Sequence, residues 1–241
     1  MGKKRFIELS MEVFKGMVIY PGNIPPFIST YYSHEEYAKV TGTDKYGITH
    51  CNNGLILMGD HVGTHMDSWW HANPEAPGAA EAIPIEYCYG DGVVLDLTHK
   101  GTGDEITVED LQQATEKINY KIKPLDIILI RTDASKNRFS QNYLKEHPGM
   151  TKEGVIWLLD QGVKLIGIDA IGFDPPIDFM FQRMKLWEAH RVMREREYYH
   201  IENLINLDQI PMPYGFTISA FPIKLRGATA SPIRAVAIIE E

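Results

Sequence analysis

The chain has 241 residues, enough to bury a conventional apolar core in one large domain or two small ones. Its formal net charge of -8 disfavours nucleic acids and anionic membranes as partners, since both bind a basic face. Two cysteines, Cys51 and Cys88, exclude a disulfide framework and a CxxC motif, and we interpret them as reduced thiols in a cytoplasmic protein.

The first part of the chain predicts a strand, a loop and a second strand. Residues 5–10 alternate apolar and polar side chains, which indicates a strand and not the apolar core of a secretory signal. Residues 20–26 contain three prolines and are predicted to form an ordered loop. Residues 55–58 are predicted to continue directly into a strand that carries a cluster of histidines. Residues 73–84 predict a loop or a short helical turn.

The rest of the chain alternates between strands and helices. Thr107 is a candidate N-cap whose partner in a capping box is Asp110. Predicted strands lie at residues 92–97, 126–131, 164–169 and 235–239. Predicted helices cover residues 107–118, 151–162 and about 180–197. This alternation is typical of an α/β fold, and without an internal repeat or a linker we expect one domain over residues 1–241. No apolar run approaches the ~18 residues that a membrane span needs.

The most informative stretch is the histidine cluster of residues 60–71, DHVGTHMDSWWH. Side chains of a strand alternate between faces, so His61, Gly63, His65 and Asp67 would share one face that Gly63 leaves open at its centre. Two imidazoles and a carboxylate around an open position suit zinc, manganese or iron(II), and they predict half of a divalent-metal site. The alternative is a set of polar residues on a solvated strand.

Three further residues are weaker candidates on their own. His71 lies too far along to extend the strand face, and we interpret it as an imidazole that transfers protons near the metal. A third metal ligand or a packed core histidine is the alternative for His71. His190, in a predicted helix, and Glu202 are not distinctive alone, because a lone helical histidine is more often packed than a ligand.

Five stretches resemble, in the same order, motifs of the cyclase-like family of metal-dependent hydrolases. This family includes bacterial kynurenine formamidases, isatin hydrolases and certain lactone hydrolases. The stretches are Tyr20-Pro21-Gly22, His61-x-Gly63-Thr64-His65-x-Asp67-x-x-x-His71, Gly167-Ile168-Asp169-Ala170, Ile201 to Asp208, and Ser231-Pro232-Ile233-Arg234-Ala235. The resemblance therefore spans nearly the whole chain.

The resemblance implies roles for six residues of this chain. His61, His65 and Asp67 would be metal ligands. His190 and Glu202 would complete a binuclear site, with Asp67 as the bridge. His71 would be the catalytic histidine. In a mononuclear version Glu202 would instead act as the catalytic base. The implied cofactor is one or two Zn²⁺ or Mn²⁺ ions per chain.

The resemblance also implies a single α/β domain built around a small mixed, β-barrel-like sheet with flanking helices. It implies a homodimer or homotetramer in which a neighbouring subunit helps to wall the site. One departure concerns Trp69, which occupies a position where the family commonly has proline. Trp69 and Trp70 either stack on a planar substrate or pack the core.

The expected reaction is hydrolysis of a C–N bond in a small-molecule amide or lactam, with an aryl formamide as the leading example. A divalent ion would lower the pKa of bound water toward ~7 and polarise the substrate carbonyl. Hydrolysis of a lactone C–O bond and metal binding without turnover are the alternatives. The sequence contains no GxSxG elbow, P-loop or GxGxxG fingerprint, so neither a serine nucleophile nor a nucleotide cofactor is predicted.

Overall fold

The computed structural model describes residues 2–49 and 51–240, and in this part of the chain thirteen strands and five α-helices are defined. The strands are β1 Lys4–Glu8, β2 Phe27–Tyr32, β3 Asn53–Leu57, β4 His65–Asp67, β5 Tyr89–Asp96, β6 Glu105–Ile106, β7 Ile127–Arg131, β8 Gly149–Met150, β9 Leu165–Ile168, β10 Tyr199–Glu202, β11 Tyr214–Ser219, β12 Ala230–Pro232 and β13 Val236–Glu240. The helices are α1 His34–Thr41, α2 Val108–Lys117, α3 Lys152–Asp160, α4 Ile177–Arg183 and α5 Glu188–Arg191.

Nine of the strands form one mixed sheet in the order β1-β13-β11-β5-β7-β9-β10-β4-β12. The four central strands, β5, β7, β9 and β10, are parallel, and antiparallel strands extend the sheet on both sides. The sheet is curled into a half-barrel, which confirms the predicted α/β fold with a barrel-like sheet. Two smaller sheets pair β2 with β3 and β6 with β8.

The central strands are apolar on both faces because both faces are covered. Ile128 and Ile130 of β7 pack in one cluster with residues of α2 and α3. Ile127 and Leu129 of the same strand pack in a second cluster on the opposite face. Continuous apolar runs are typical of parallel strands buried in this way, and they explain why these strands could be predicted.

The curl of the sheet encloses the second cluster. Ile7 of β1 and Met66 of β4 belong to strands near opposite edges of the sheet, yet both lie in this cluster. Side chains of β11 and β13 also pack there, Ile218 and Ile239 among them. The concave side of the sheet therefore holds an apolar core of its own.

Helices α2 and α3 begin where the sequence predicts. Thr107 and Asp110 form the capping box of α2, in which the Thr107 N–H donates to Asp110 Oδ2 at 2.8 Å. The Thr151 hydroxyl caps α3 by accepting from the N–H of Gly154. Among the described residues, no helix is long and apolar enough to cross a bilayer.

Two predictions about the chain near the histidines are wrong. Residues 55–58 do not continue into a histidine strand, because β3 ends at Leu57 and pairs with β2 in a separate hairpin. The predicted helix over 180–197 is broken. Met184 and Trp187 have φ values of 55° and 48°, and α4 ends before them while α5 begins after them.

The break in this helix has an identifiable cause. Asp174 accepts hydrogen bonds from the N–H groups of Ala189 and His190, so its carboxylate caps the start of α5. The N–H of Trp187 is directed to the sulfur of Met180. These tertiary contacts override an apolar periodicity that would otherwise favour one long helix.

Candidate metal centre

Two neighbouring strands supply four of the site's side chains. His65 and Asp67 lie on β4, and His200 and Glu202 lie on β10. The antiparallel register pairs His200 with Asp67 and Glu202 with His65, so alternate residues of both strands face the same side. The prediction that His65 and Asp67 share a strand face is therefore confirmed, whereas His61 lies in the turn before β4 and not on the strand.

The other three imidazoles come from segments outside these two strands. His61 reaches the site because Gly63 adopts a φ of 70°, and a side chain at Gly63 would lie 2.7 Å from Val13 Cγ2. His71 ends a short 3₁₀ turn after β4, and His190 lies on α5. Loops and caps, not a single strand, bring this set together.

Asp67 is at the centre of five imidazoles. Its Oδ1 lies 2.9 Å from His61 Nδ1 and 3.3 Å from His65 Nε2. Its Oδ2 lies 3.1 Å from His200 Nε2 and 3.6 Å from the Nε2 atoms of His71 and His190. Imidazole nitrogens therefore lie beside both oxygens of Asp67.

Glu202 lies opposite Asp67 across the imidazoles. Its oxygens are 3.5 Å from His65 Nε2, 3.6 Å from His190 Nε2 and 3.7 Å from His200 Nε2. Its Oε1 also accepts a hydrogen bond from the N–H of Phe173 at 2.8 Å. This buried carboxylate is anchored to the backbone and faces three imidazoles at once.

Outer hydrogen bonds select the tautomer that three imidazoles adopt in their neutral form. His65 Nδ1 donates to the carbonyl of Gly63 at 2.8 Å, so Nε2 carries the lone pair. His190 Nδ1 donates to Asp174, which leaves Nε2 free. His61 Nε2 donates to the hydroxyl of Thr229, whose own proton goes to Asp60. In each case the second nitrogen faces the centre, which is how metal-ligating histidines are oriented.

The atoms at the centre fit a cation. Among the described residues, His65 Nε2, both oxygens of Asp67 and both nitrogens of His200 are buried without a hydrogen-bond partner. Lone pairs of imidazole nitrogens thus face lone pairs of carboxylate oxygens, and only positive charge between them makes the arrangement stable. In each of two groups of three residues, the ligand atoms all lie within 4.8 Å of one another, and Asp67 belongs to both groups. The groups are His61, Asp67 and His71, and Asp67, His190 and His200.

Protons and a metal ion compete for this centre. Burial disfavours the charged form of His190, but Asp174 and Asp67 more than offset it and hold its pKa well above the usual range. Burial likewise opposes ionisation of Asp67, yet the facing imidazoles, His61 first among them, hold the pKa of Asp67 well below its usual range. Binding of a divalent ion is therefore expected to release protons.

His71 differs from the other imidazoles in its exposure and its pKa. Its side chain is 32% exposed, whereas those of His61 and His190 are 14% and 13% exposed. Partial burial and the neighbouring imidazoles, His190 first among them, lower the pKa of His71 to about 4 although Asp67 opposes the shift. The His71 imidazole is therefore neutral at the cavity surface, and its lowered pKa makes it a weaker base than a free histidine.

The centre lies in the wall of a cavity of about 770 Å³, a size typical of small-molecule sites. Ring side chains form much of its lining: Tyr20, Trp70, Phe173 and Trp187. His61, Asp67, His71, His190 and Glu202 also line it. The cavity therefore brings a planar apolar molecule next to the candidate metal ligands.

The chain is similar to known proteins over most of its length. A family model described as "Putative cyclase" matches residues 7–175. The chain belongs to the cyclase family. A kynurenine formamidase of Paracidovorax citrulli is 26% identical over 95% of this chain and 94% of its own length. An isatin hydrolase of Roseibium aggregatum is 25% identical over 90% of this chain and 85% of its own.

Solved structures show the same fold. Isatin hydrolase A from Ralstonia solanacearum superposes with a TM-score of 0.82 at 25% identity. The match covers 98% of this chain and 92% of the Ralstonia chain. The cyclase-family fold therefore extends over the whole described chain and is not confined to the residues of the family model.

The two tryptophans of this cyclase-family member have different surroundings. Trp69 packs against both apolar clusters, and its indole N–H donates to the carbonyl of Met193. Trp70 lines the cavity. The structure thus packs the partly buried Trp69 against the core and places Trp70 in the cavity wall.

Sequence reasoning missed His200 and Asp174. Tyr199 and Ile201 pack in the concave core while His200 and Glu202 face the centre. This alternation of apolar and polar residues at 199–202 was the signal that could have identified His200. Asp174 had no comparable signal, because its role depends on a contact with Ala189 of α5, 15 residues further along the chain.

Replacing Asp174 with Asn is expected to weaken metal binding by about 10- to 100-fold. The amide would donate to His190 Nδ1 and so move the imidazole proton to Nε2, which could then no longer bind an ion. Titration of the metal-free protein against a chromophoric chelator measures this loss. Asp178→Asn, an exposed position on α4, is the matched control. Equal affinity in D174N and the wild type would contradict the role of Asp174.

Proposed function

We propose that this protein is a metal-dependent hydrolase that cleaves the C–N bond of a small aryl amide, namely an aryl formamide or a lactam. One observation carries the proposal: in a cyclase-family chain, imidazoles with fixed lone pairs converge with Asp67 and Glu202 in a cavity walled by aromatic rings. The similar kynurenine formamidase and isatin hydrolase support the same bond type.

The residues divide into two ligand sets that share Asp67. His61, His65 and Asp67 form the first set. His190, His200 and Glu202 form the second set together with Asp67. His200 was not predicted and is an additional member of this set. Imidazole and carboxylate donors suit Zn²⁺ and Mn²⁺. We propose two ions per chain because imidazoles of the first set lie beside Asp67 Oδ1, those of His61 and His65, and imidazoles of the second set lie beside Oδ2, those of His190 and His200. Once bound, such ions make water nucleophilic at neutral pH and polarise a carbonyl.

His71 transfers the proton that C–N cleavage requires. Water adds its oxygen to the substrate carbonyl, the C–N bond breaks, and the departing nitrogen gains a proton. His71 lines the cavity and is the most exposed of the five imidazoles, so its Nε2 is placed to accept a proton from water and return it to the amine. Glu202 is assigned as a ligand and not as the base, because its Oε1 is fixed by the N–H of Phe173 and its oxygens lie 3.5–3.7 Å from three imidazole nitrogens of the centre.

A substrate panel tests the proposal against its alternatives. The metal-loaded protein is assayed with formanilide, isatin and dihydrocoumarin, which present an aryl formamide, a lactam and a lactone. We expect kcat/KM for formanilide or isatin to exceed that for the lactone, with no turnover in the metal-stripped protein. Turnover of the lactone alone would identify a lactone hydrolase. Inactivity on all three substrates with metal bound would favour a binding protein.

We infer that the protein is a homodimer or homotetramer. The hairpin of β2 and β3 exposes a row of apolar side chains, each 47–65% exposed: Phe27, Ile28, Tyr31, Leu55, Ile56 and Leu57. A two-stranded sheet is marginally stable alone, and such a patch is typical of a protein interface. Sedimentation equilibrium should give a multiple of 27.4 kDa, and Ile56→Lys should lower the mass. A monomer at micromolar concentration would contradict this inference.

We also place the enzyme in the cytoplasm. Two cysteines in 241 residues is a low usage that fits a reducing compartment.

A further inference from the structure

Two arginines lie on the cavity wall beside the candidate catalytic residues. Arg191 follows His190 directly, and Arg194 lies one turn further along. The Nε of Arg194 donates to the carbonyl of Ala72 at 3.2 Å, and Ala72 is the residue after His71. This hydrogen bond uses only Nε and holds the Arg194 side chain along the cavity wall. The two terminal nitrogens of the guanidinium remain available to bind a ligand.

Neither guanidinium is neutralised by the protein. Within residues 2–49 and 51–240, no carboxylate oxygen lies within 4.0 Å of the Arg191 or Arg194 side-chain nitrogens. The neighbouring acid Glu195 is instead held by Lys152 at 2.7 Å. Arg196, which lies outside the cavity lining, pairs with Asp160 at 3.1 Å. The two arginines in the cavity wall are thus the ones without an acidic partner in this segment.

We propose that Arg191 and Arg194 bind a carboxylate on the substrate, so that the enzyme prefers anionic aryl amides over neutral ones. This inference rests on the proposed function. Guanidinium groups present a planar fork of donors that matches a carboxylate. The aromatic lining holds the ring, the metal ligands face the scissile amide, and the arginines bind the acidic group on the same ring. They also offset the repulsion between an anionic substrate and the carboxylates of Asp67, Asp174 and Glu202.

A matched pair of substrates tests the preference. The anionic member is 3-formamidobenzoate, and the neutral member of nearly equal size is its methyl ester. We expect the zinc- or manganese-loaded enzyme to favour the anion by about tenfold or more in kcat/KM, mainly through KM, as hydrogen bonds to a charged group allow. The double variant Arg191→Gln/Arg194→Gln should reduce this ratio to near one. Arg196→Gln, the matched control, should keep it.

Failure of this inference can be told apart from failure of the proposed function. Equal hydrolysis of both substrates by the wild type would overturn the carboxylate preference and leave the hydrolase assignment intact. If neither substrate is hydrolysed, the proposed function fails. Calorimetric titration of the metal-loaded protein with benzoate then tests whether the two arginines bind a carboxylate. If the wild type and R196Q bind benzoate and the double variant does not, the carboxylate site is supported. If all three proteins bind benzoate equally, the carboxylate site is overturned.

Discussion

Replacing Asp67 with Ala should remove both the metal and the activity. Asp67 is fully buried, belongs to both groups of ligand atoms and lies within 3.6 Å of a nitrogen of each of five imidazoles. Without its carboxylate, neither ion would have a complete set of ligands. We expect kcat/KM to fall by more than about 10⁴-fold, which is the upper range for loss of a single proton-transfer group. Elemental analysis and the formanilide assay measure the two losses together.

A loss of folding must be separated from a loss of metal. Asp67→Asn keeps the size of the side chain but removes its charge, so it should fold and still fail to retain the metal. Circular dichroism and thermal unfolding of the variant and of the metal-stripped wild type provide the comparison. A folded D67N protein with full metal content and full activity would contradict the assignment of Asp67 as the shared ligand.

Replacing His71 with Ala should lower kcat by about 10²- to 10⁴-fold and leave the metal content unchanged. His71 is the most exposed of the five imidazoles, and its Nε2 lies in the cavity wall 3.6 Å from Asp67. The variant would lose the group that moves a proton to the departing nitrogen, while His61 and His65 would still hold the ion. Single-turnover assays and metal analysis measure the two quantities separately.

The His71 prediction has a control and an independent readout. His99→Ala changes a histidine that is 62% exposed and lies beside Asp110, so it should have no effect on kcat. Added imidazole should restore part of the activity of H71A, because the cavity has room for it. Loss of metal from H71A would instead make His71 a ligand. Full activity of H71A would remove its catalytic role.

The central strands could be predicted from the sequence because their cause is local. The second half of β5, together with β7 and β9, is largely buried on both faces, and strands buried in this way consist mostly of continuous apolar residues. The start of α2 was equally predictable, since Thr107 and Asp110 are neighbours in the sequence. The Ser33 and Glu36 capping box of α1 carried the same kind of signal and was missed.

The broken helix and the turn at His61 could not be predicted in this way. The start of α5 depends on Asp174, and the conformation before β4 depends on Gly63 and its contact with Val13. Both are tertiary contacts that no local pattern reports. Much of the candidate site was nevertheless predictable, because His65 and Asp67 alternate on a strand and the family resemblance points to His190 and Glu202. His200 was missed because residues 199–202 were not assigned to a strand.

The most direct test of the account is the metal content per chain, measured by elemental analysis of untagged protein. We predict two equivalents of zinc or manganese per chain, held by two ligand sets that share Asp67. One equivalent would support a mononuclear site, in which Glu202 could act as the base. A folded protein that contains no metal and takes up neither zinc nor manganese would show that the histidine cluster is not a metal site. The hydrolase assignment would then fail with it.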